Sequence, residues 1–534
     1  MGFILLILEL FLFFYFFRNK MSIEIESFLE VILVCLPVLA KLNFDFFSIN
    51  FLFVIILTLF GQTTSAQQKL NRHNNFSFRK ISDVGITHML IIPFFMNNAD
   101  LGSSYLSKGT FTGLWTIGIY IYFGKYLSLV STALLFSYLM FILNIESIAI
   151  VVLIAIVCAS VFISLVKTIP NSFSFAETSW LSQSITLLLM VYFGRIYDLH
   201  IKGSLNVYHG NLFPTFVLIT IVSSILGVIF LIPVMYCKAY WSYSETDIIV
   251  ASICFHICSI LIILFIFFPS CFLMMGTNPI YFIWSTTTMN MFRQLLVGYW
   301  FILVLLSFGV VYWFSQGNTT IPKTIVRKMF HGLAFMIFIP LYKDIEFFTM
   351  VTVIMFDIFT RLEMIRMNEI SPFSKLLTSF LEPFREEQDS GPMILTHIYL
   401  LFGLSLPLWL TVGEKDFDKK FLNDPFYFLS VYCGVISLCV GDTFASLVGT
   451  IYGKRKWPNR KKSYIGTVAC FVSMFLFCVL LLITFHFTLN MYIILCLLFF
   501  TLYVSLLESV SCQVDNLILP FYSFLMCRFL AQLL

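Results

Sequence analysis

Charge is scarce in this chain. Lys and Arg number 32 and Asp and Glu 28 in 534 residues, 11% together, where a soluble globular protein carries about 25%. The shortage excludes an ordinary water-soluble enzyme and a disordered chain alike, because both need many polar groups facing water. Glycine, at 25, and proline, at 16, are too few for collagen or a Pro/Gly-rich low-complexity chain. The net charge of +4 is too small to point to nucleic acid as a partner. No repeat marks a transporter built from two matching halves, and the apolar runs are continuous rather than alternating, which argues against a membrane β-barrel. The opening MGFILLILELFLFFYFFRNK lacks a basic leading region and a small-residue cleavage site. It reads as a retained anchor, with Arg18 and Lys20 favouring the cytoplasm after it.

What is abundant is apolar length. Sixty per cent of the residues are hydrophobic and 64 are Phe. A helix needs roughly 20 apolar residues to cross a bilayer. The runs therefore predict an all-α polytopic membrane protein with about 12–16 transmembrane helices, some of them too short to cross alone. The 13 cysteines lie almost entirely within these runs and read as small hydrophobes. Cys254, His256 and Cys258 lack the second ligand pair that a structural zinc site requires.

Residues 1–316 read as a multi-span membrane region with few polar groups and no evident role, and residues 317–534 as the part that carries chemistry. In the latter, the polar loops at 317–328, 361–392 and 452–466 fall on one face when the intervening spans are counted. They hold 13 Lys or Arg, and the opposite face holds Lys343, Lys415, Lys419 and Lys420. By the positive-inside rule the first face is cytoplasmic. Two further spans return the chain to that face at Glu508 and Asp515.

The most informative stretch runs from Cys433 to Thr467. Gly441, Ala445, Gly449 and Gly453 recur every four residues, and Gly434 and Ser437 extend this stripe backwards. Alone, such a stripe reads as close helix packing. Here Asp442 lies in the same apolar run, where a carboxylate needs a cation, a metal or water, and Ser446 shares its face. The run leads directly into Lys454, Arg455, Lys456, Arg460, Lys461 and Lys462, with Trp457 and Pro458 between them. These parts suit a polyphosphate: cations for its charge, Asp442 for a divalent metal, glycines for close approach and Trp457 for stacking. The spacing is not that of a Walker A loop. Glu508, Gln513, Asp515 and Asn516 add acids and amides on the same face. Arg361, Glu363, Arg366, Glu386, Glu387 and Asp389 lie in the loop at 361–392, and His331 follows Arg327 and Lys328.

These residues resemble the polyprenol kinase family. The resemblance rests on Arg327-Lys328-x-Phe330-His331, on Asp389-Ser-Gly391 with Thr396-His397-x-Tyr399, and on Gly441-Asp442-Thr443-x-Ala445-Ser446-x-x-Gly449. It extends through Lys456-Trp457-Pro458, Lys462-Ser463-x-x-Gly466-Thr467 and Gln513-x-Asp515-Asn516, covering about residues 320–525. One departure is Ile465, where the family usually has an acid; that acid would have to come from elsewhere, such as Asp442 or Asp515.

The resemblance implies transfer of the γ-phosphoryl group of CTP to the terminal hydroxyl of dolichol or another long polyprenol. It also implies the endoplasmic reticulum membrane, with the active site facing the cytoplasm. On that basis Asp442 is expected to bind a divalent cation, Mg²⁺, and to act with Asp515 or Glu508, which would position or deprotonate the alcohol. Gly441, Ser446, Gly449, Gly453, Lys454, Lys456, Trp457, Pro458, Lys461, Lys462, Ser463, Gly466 and Thr467 are expected to form the nucleotide site within loop 452–467. Arg327, Lys328, His331, Asp389, His397, Gln513 and Asn516 are further motif positions. The rival readings are a phytol-type kinase or lipid cytidylyltransferase, and a polytopic transporter in which Asp442 serves an ion.

Overall fold

The computed structural model describes Arg79 and residues 145–201, 212–240, 245–315, 323–382, 385, 391–412, 414, 417–457, 462–511 and 513–533. The N-terminal anchor and the apolar runs before residue 144 lie outside the described residues. Those described are helical almost throughout, and their one β-type contact is an isolated antiparallel bridge between Lys456 and Ser463. Six helices are long and apolar enough to cross a membrane, or seven when one sharply bent pair counts as a span. The chain is thus an all-α polytopic membrane protein, as its hydropathy requires.

Two compact units are present. One holds the described residues up to Val191 with the short segments Ser390–Pro392 and Val510–Val514; the other holds the remainder. In the first, α1 (Ile145–Thr168) is followed by the start of α2 (Phe175–Ile201). Ser174 and Glu177 form a capping box: the Ser174 hydroxyl accepts the Glu177 N–H at 3.1 Å, and the Glu177 carboxylate accepts the Ser174 N–H at 3.0 Å. Glu177 is fully buried and pairs with Arg79, which offsets the desolvation of both charges.

In the second unit, α3 (Leu212–Tyr240) packs on α4 (Glu245–Ile262), which passes through a short π-helical stretch into α5 (Phe268–Met275). Gly276, at φ 68°, ends α5 in the left-handed conformation that glycine tolerates. α6 (Pro279–Thr288) and α7 (Met291–Ser315) meet at a bend of 96° between Pro279–Thr288 and Met291–Ser307.

After α8 (Lys323–Phe338) and a 3₁₀ turn, α9 (Ile345–Met367) is capped by Asp344, which accepts the Phe347 N–H at 3.0 Å. α9 continues past residue 361, where hydropathy alone predicts a loop. The reason is that Arg361, Glu363 and Arg366 are paired rather than solvated. Arg361 bonds Asp357 one turn earlier, while fully buried Glu363 pairs with Arg366 and accepts the Ile394 N–H. Within the same predicted loop, α10 (Ser374–Leu381) is also helical.

The functional core is built by α11 (Thr396–Thr411), α12 (Phe417–Asn423), α13 (Pro425–Val431), a π-helical segment Val435–Asp442 running into α14 (Thr443–Tyr452), α15 (Tyr464–Thr484), α16 (Met491–Val510) and α17 (Asp515–Ala531). Every residue of the π-helical segment is buried, and it packs against α8, α11, α15 and α17. The wider π turn corrects one expectation. Gly434 does not continue the stripe of Gly441 and Gly449: a Cβ on Gly434 would meet Gly403 and Leu404 of α11, whereas one on Gly441 would meet Met474 and Cys470 of α15. The ten described cysteines whose state is defined are all free, and seven of them are buried, as small hydrophobes would be.

Candidate functional site

Lys328 and His331 lie one turn apart on α8 and both face Asp442. The Lys328 ammonium forms a buried ion pair with Asp442, and His331 Nε2 lies 3.5 Å from the same carboxylate oxygen and 3.4 Å from Asn516 Oδ1. His331 Nδ1 is buried without a partner. The Ser446 hydroxyl donates to the other Asp442 oxygen at 3.3 Å, so the shared face expected from the spacing is present. A carboxylate this deep in an apolar bundle requires such compensation, since an unpaired charge there costs several kcal/mol.

A second lysine gathers the other two acids. Lys462 Nζ lies 2.9 and 2.8 Å from the two oxygens of Asp515 and 3.1 Å from Glu508 Oε1, and it also donates to the Glu508 carbonyl. Burial would drive the proton off this ammonium, but the Asp515 and Glu508 carboxylates outweigh it and hold Lys462 above the ordinary lysine value. Lys462 is therefore a fixed cation and not a base. Asp442, Glu508 and Asp515 each present one oxygen, all within 4.8 Å of one another. Three clustered carboxylate oxygens are the hard donor set that Mg²⁺ takes, with water or phosphate filling the remaining positions. Asp442 and Glu508 are buried, while Asp515 and Lys462 keep 20% and 26% of their side-chain surface exposed, so the cluster opens on that side.

The hairpin beside it is ordered by small residues. Gly453, at φ −77° and ψ 70°, centres an inverse γ-turn in which the Lys454 N–H reaches the Tyr452 carbonyl at 2.9 Å. The two sides of the hairpin then pair through Trp457 N–H to the Lys462 carbonyl, 2.9 Å, and Tyr464 N–H to the Arg455 carbonyl, 3.2 Å. Ser463 caps α15 by accepting the Gly466 N–H at 3.1 Å. Its hydroxyl occupies the space that side chains at Gly449, Gly453 and Gly466 would need. The Trp457 indole lies 4.4 Å from the Tyr464 ring and donates to the Thr467 hydroxyl at 3.0 Å. Lys454, Arg455 and Lys456 are exposed. A methyl group at Gly453 would sit 2.1 Å from the Gly449 carbonyl oxygen, which is backbone and cannot rotate away. Gly453→Ala is therefore expected to cost about 1–3 kcal/mol by overpacking, read as a fall in the melting temperature of the detergent-solubilised protein.

The structure thus brings Lys328, His331, Asp442, Ser446, Lys462, Glu508, Asp515 and Asn516 together. It places other motif positions elsewhere or leaves them undescribed. His397 packs edge-on against Phe359, and Gln513, in the first unit, accepts the Ser174 hydroxyl at 2.8 Å. Pro458, Lys461 and Asp389 lie outside the described residues, and of Arg327 only the helical backbone is described. Ile465, at the family's acidic position, is 44% exposed, while Glu508 and Asp515 supply carboxylates next to Lys462. Sequence reasoning assigned the metal to Asp442 alone. It placed Glu508 and Asp515 on the same membrane face but gave them to the alcohol, whereas the fold brings their oxygens within 4.8 Å of the Asp442 carboxylate.

Comparison with known proteins supports the resemblance drawn from the motifs. The chain is similar to the dolichol kinase of Mus musculus, 31% identical over 330 residues, covering 60% of each chain. A dolichol kinase of Arabidopsis thaliana is 32% identical over 242 residues, 44% of this chain and 40% of its own. A protein of Zea mays named "Probable phytol kinase, chloroplastic" is 32% identical over 106 residues, 16% of this chain and 35% of its own. The chain thus spans about 60% of the length of the mammalian relatives it matches. No family model matches the sequence, and no solved structure matches it.

Proposed function

We propose that this chain is a dolichol kinase, transferring the γ-phosphoryl group of CTP to the terminal hydroxyl of dolichol or another long polyprenol, with Mg²⁺ as cofactor. The observation that carries the proposal is the cluster of three acids and two lysines at the polar edge of apolar helices, in a chain similar over 330 residues to a dolichol kinase. A prenol hydroxyl cannot leave the membrane and CTP cannot enter it, so the reaction needs charged groups held at such an edge. The excess of Lys and Arg within 317–328, 361–392 and 452–466 favours the cytoplasmic side, and the resemblance to polyprenol kinases implies the endoplasmic reticulum.

Asp442, Glu508 and Asp515 would hold the Mg²⁺, which would supply positive charge against the negative charge that develops on the phosphates during transfer. Lys462 adds a fixed cation beside them, and exposed Lys454 and Lys456 draw the triphosphate from solution. Trp457 offers an aromatic face beside these cations for the base. Asp515, the least covered of the acids, is the acceptor for the hydroxyl proton as the new O–P bond forms and the bond from the γ-phosphorus to the bridging oxygen breaks, releasing CDP. The relatives are named as kinases of prenols, which favours this chemistry over a cytidylyltransferase or a transporter.

Membranes containing the chain are expected to move label from γ-labelled CTP, and none from α-labelled CTP, onto dolichol. A chelator of divalent cations is expected to abolish the transfer and added Mg²⁺ to restore it. Label from α-labelled CTP in the lipid product would instead establish a cytidylyltransferase.

A further inference from the structure

α11 passes between two of the segments that carry the acids, and it touches each through backbone. A Cβ added to Gly434, the residue before the π-helical segment that ends at Asp442, would lie 2.6 Å from the Gly403 carbonyl oxygen and 2.7 Å from Leu404 Cα. A Cβ added to Gly403 would lie 2.1 Å from the Asn516 carbonyl oxygen and 2.9 Å from Pro520 Cγ. Both carbonyls share a feature. Gly403 lies four residues before Pro407, and Asn516 lies four residues before Pro520, each within one helix. Proline has no N–H, so neither carbonyl can receive the bond that normally closes its helical turn. Each instead faces a glycine of the neighbouring segment, the close Cα–H···O approach that tightly packed membrane helices use.

We propose that Gly403 and Gly434, together with Pro407 and Pro520, are positioning residues that set the separation of Asp442 from Asp515 and Asn516. The inference rests on the kinase reading above. Contacts between backbones cannot be relieved by rotating a side chain, so a methyl group at either crossing must move a whole segment. Asp515 and Asn516 occupy the first turn of α17, beside the crossing, and the π-helical segment delivers Asp442. A shift of α17 therefore changes the carboxylate spacing and the contact of Asn516 with His331 together. Packing glycines with no such role would affect only stability.

The test uses the full chain, purified, with Mn²⁺ alone as probe, its binding followed by electron paramagnetic resonance, beside Mg²⁺-dependent prenol phosphorylation. Gly403→Ala is expected to weaken Mn²⁺ binding about tenfold and to lower kcat about 100-fold with little change in KM for CTP, since a misplacement near 1 Å costs about that much. Pro520→Ala removes atoms and returns an N–H to the Asn516 carbonyl, so it keeps the test open should the alanine at 403 prevent folding. It is expected to weaken Mn²⁺ binding about threefold by drawing that carbonyl back into its own helix. Leu482→Ala, fully buried in α15, is the comparator: it should lower the melting temperature and leave Mn²⁺ affinity per folded molecule unchanged. Wild-type Mn²⁺ affinity in folded Gly403→Ala or Pro520→Ala, or no Mn²⁺ binding by the wild-type chain, would overturn the proposal. Altered Mn²⁺ affinity in these variants, combined with a wild-type chain that does not phosphorylate prenol, would refute the kinase reading and leave the positioning role standing.

Discussion

Asp442→Asn is expected to reduce prenol phosphorylation by about 10³-fold or more, because it removes charge from the donor set that offsets the phosphates during transfer. The substitution also leaves the Lys328 ammonium buried without its counter-charge. Breaking a buried pair from one side costs about 3–5 kcal/mol, so loss of activity alone would not separate catalysis from folding. The double variant Lys328→Gln with Asp442→Asn removes both charges and leaves groups that can hydrogen-bond each other. It is expected to recover the expression level and melting temperature of the wild-type chain and to remain inactive. A double variant that regains activity along with stability would show that Asp442 only balances Lys328.

Lys462→Met is expected to lower kcat about 100-fold, as loss of a fixed cation aimed at developing charge does. Glu508 and Asp515 then face each other without the ammonium that separates them, so the variant also loses stability, increasingly as rising pH charges both acids. Lys454→Ala offers the contrast. Its ammonium is exposed and screened, so the expected effect is a rise of a few-fold in KM for CTP that fades as salt is raised. Steady-state kinetics of the two variants at low and high ionic strength distinguish the roles. Equal effects on kcat and KM in both would mean that the lysines are interchangeable surface charges.

Hydropathy made the spans legible because lipid leaves few alternatives to a helix, and Asp442 stood out because a carboxylate in such a run requires a reason. The four-residue spacing of Asp442 and Ser446 translated directly into contact. Other features depend on partners distant in the chain. Lys328 meets Asp442 across 114 residues, and no local pattern specifies that pairing. Arg361, Glu363 and Arg366 look like loop residues by composition, yet ion pairing within the helix, half-buried for Arg361 and buried for Glu363 and Arg366, keeps them helical. Gly403 and Gly434 lie in different runs, and only the tertiary fold makes their crossing visible. Pro407 and Pro520 lie inside α11 and α17, a placement that only the packing of the surrounding helices accounts for.

The π-helical segment Val435–Asp442 lets one stretch of chain present Gly434 to α11, Asp442 to α8 and Gly441 to α15. A regular helix repeats its faces too faithfully to serve three differently placed partners within so few residues. The surplus residue in the wide turn acts as a phase adjuster, so the length of this stretch is as constrained as its composition. Shortening it by a single residue would keep every side chain named above and yet rotate half of them away from their neighbours.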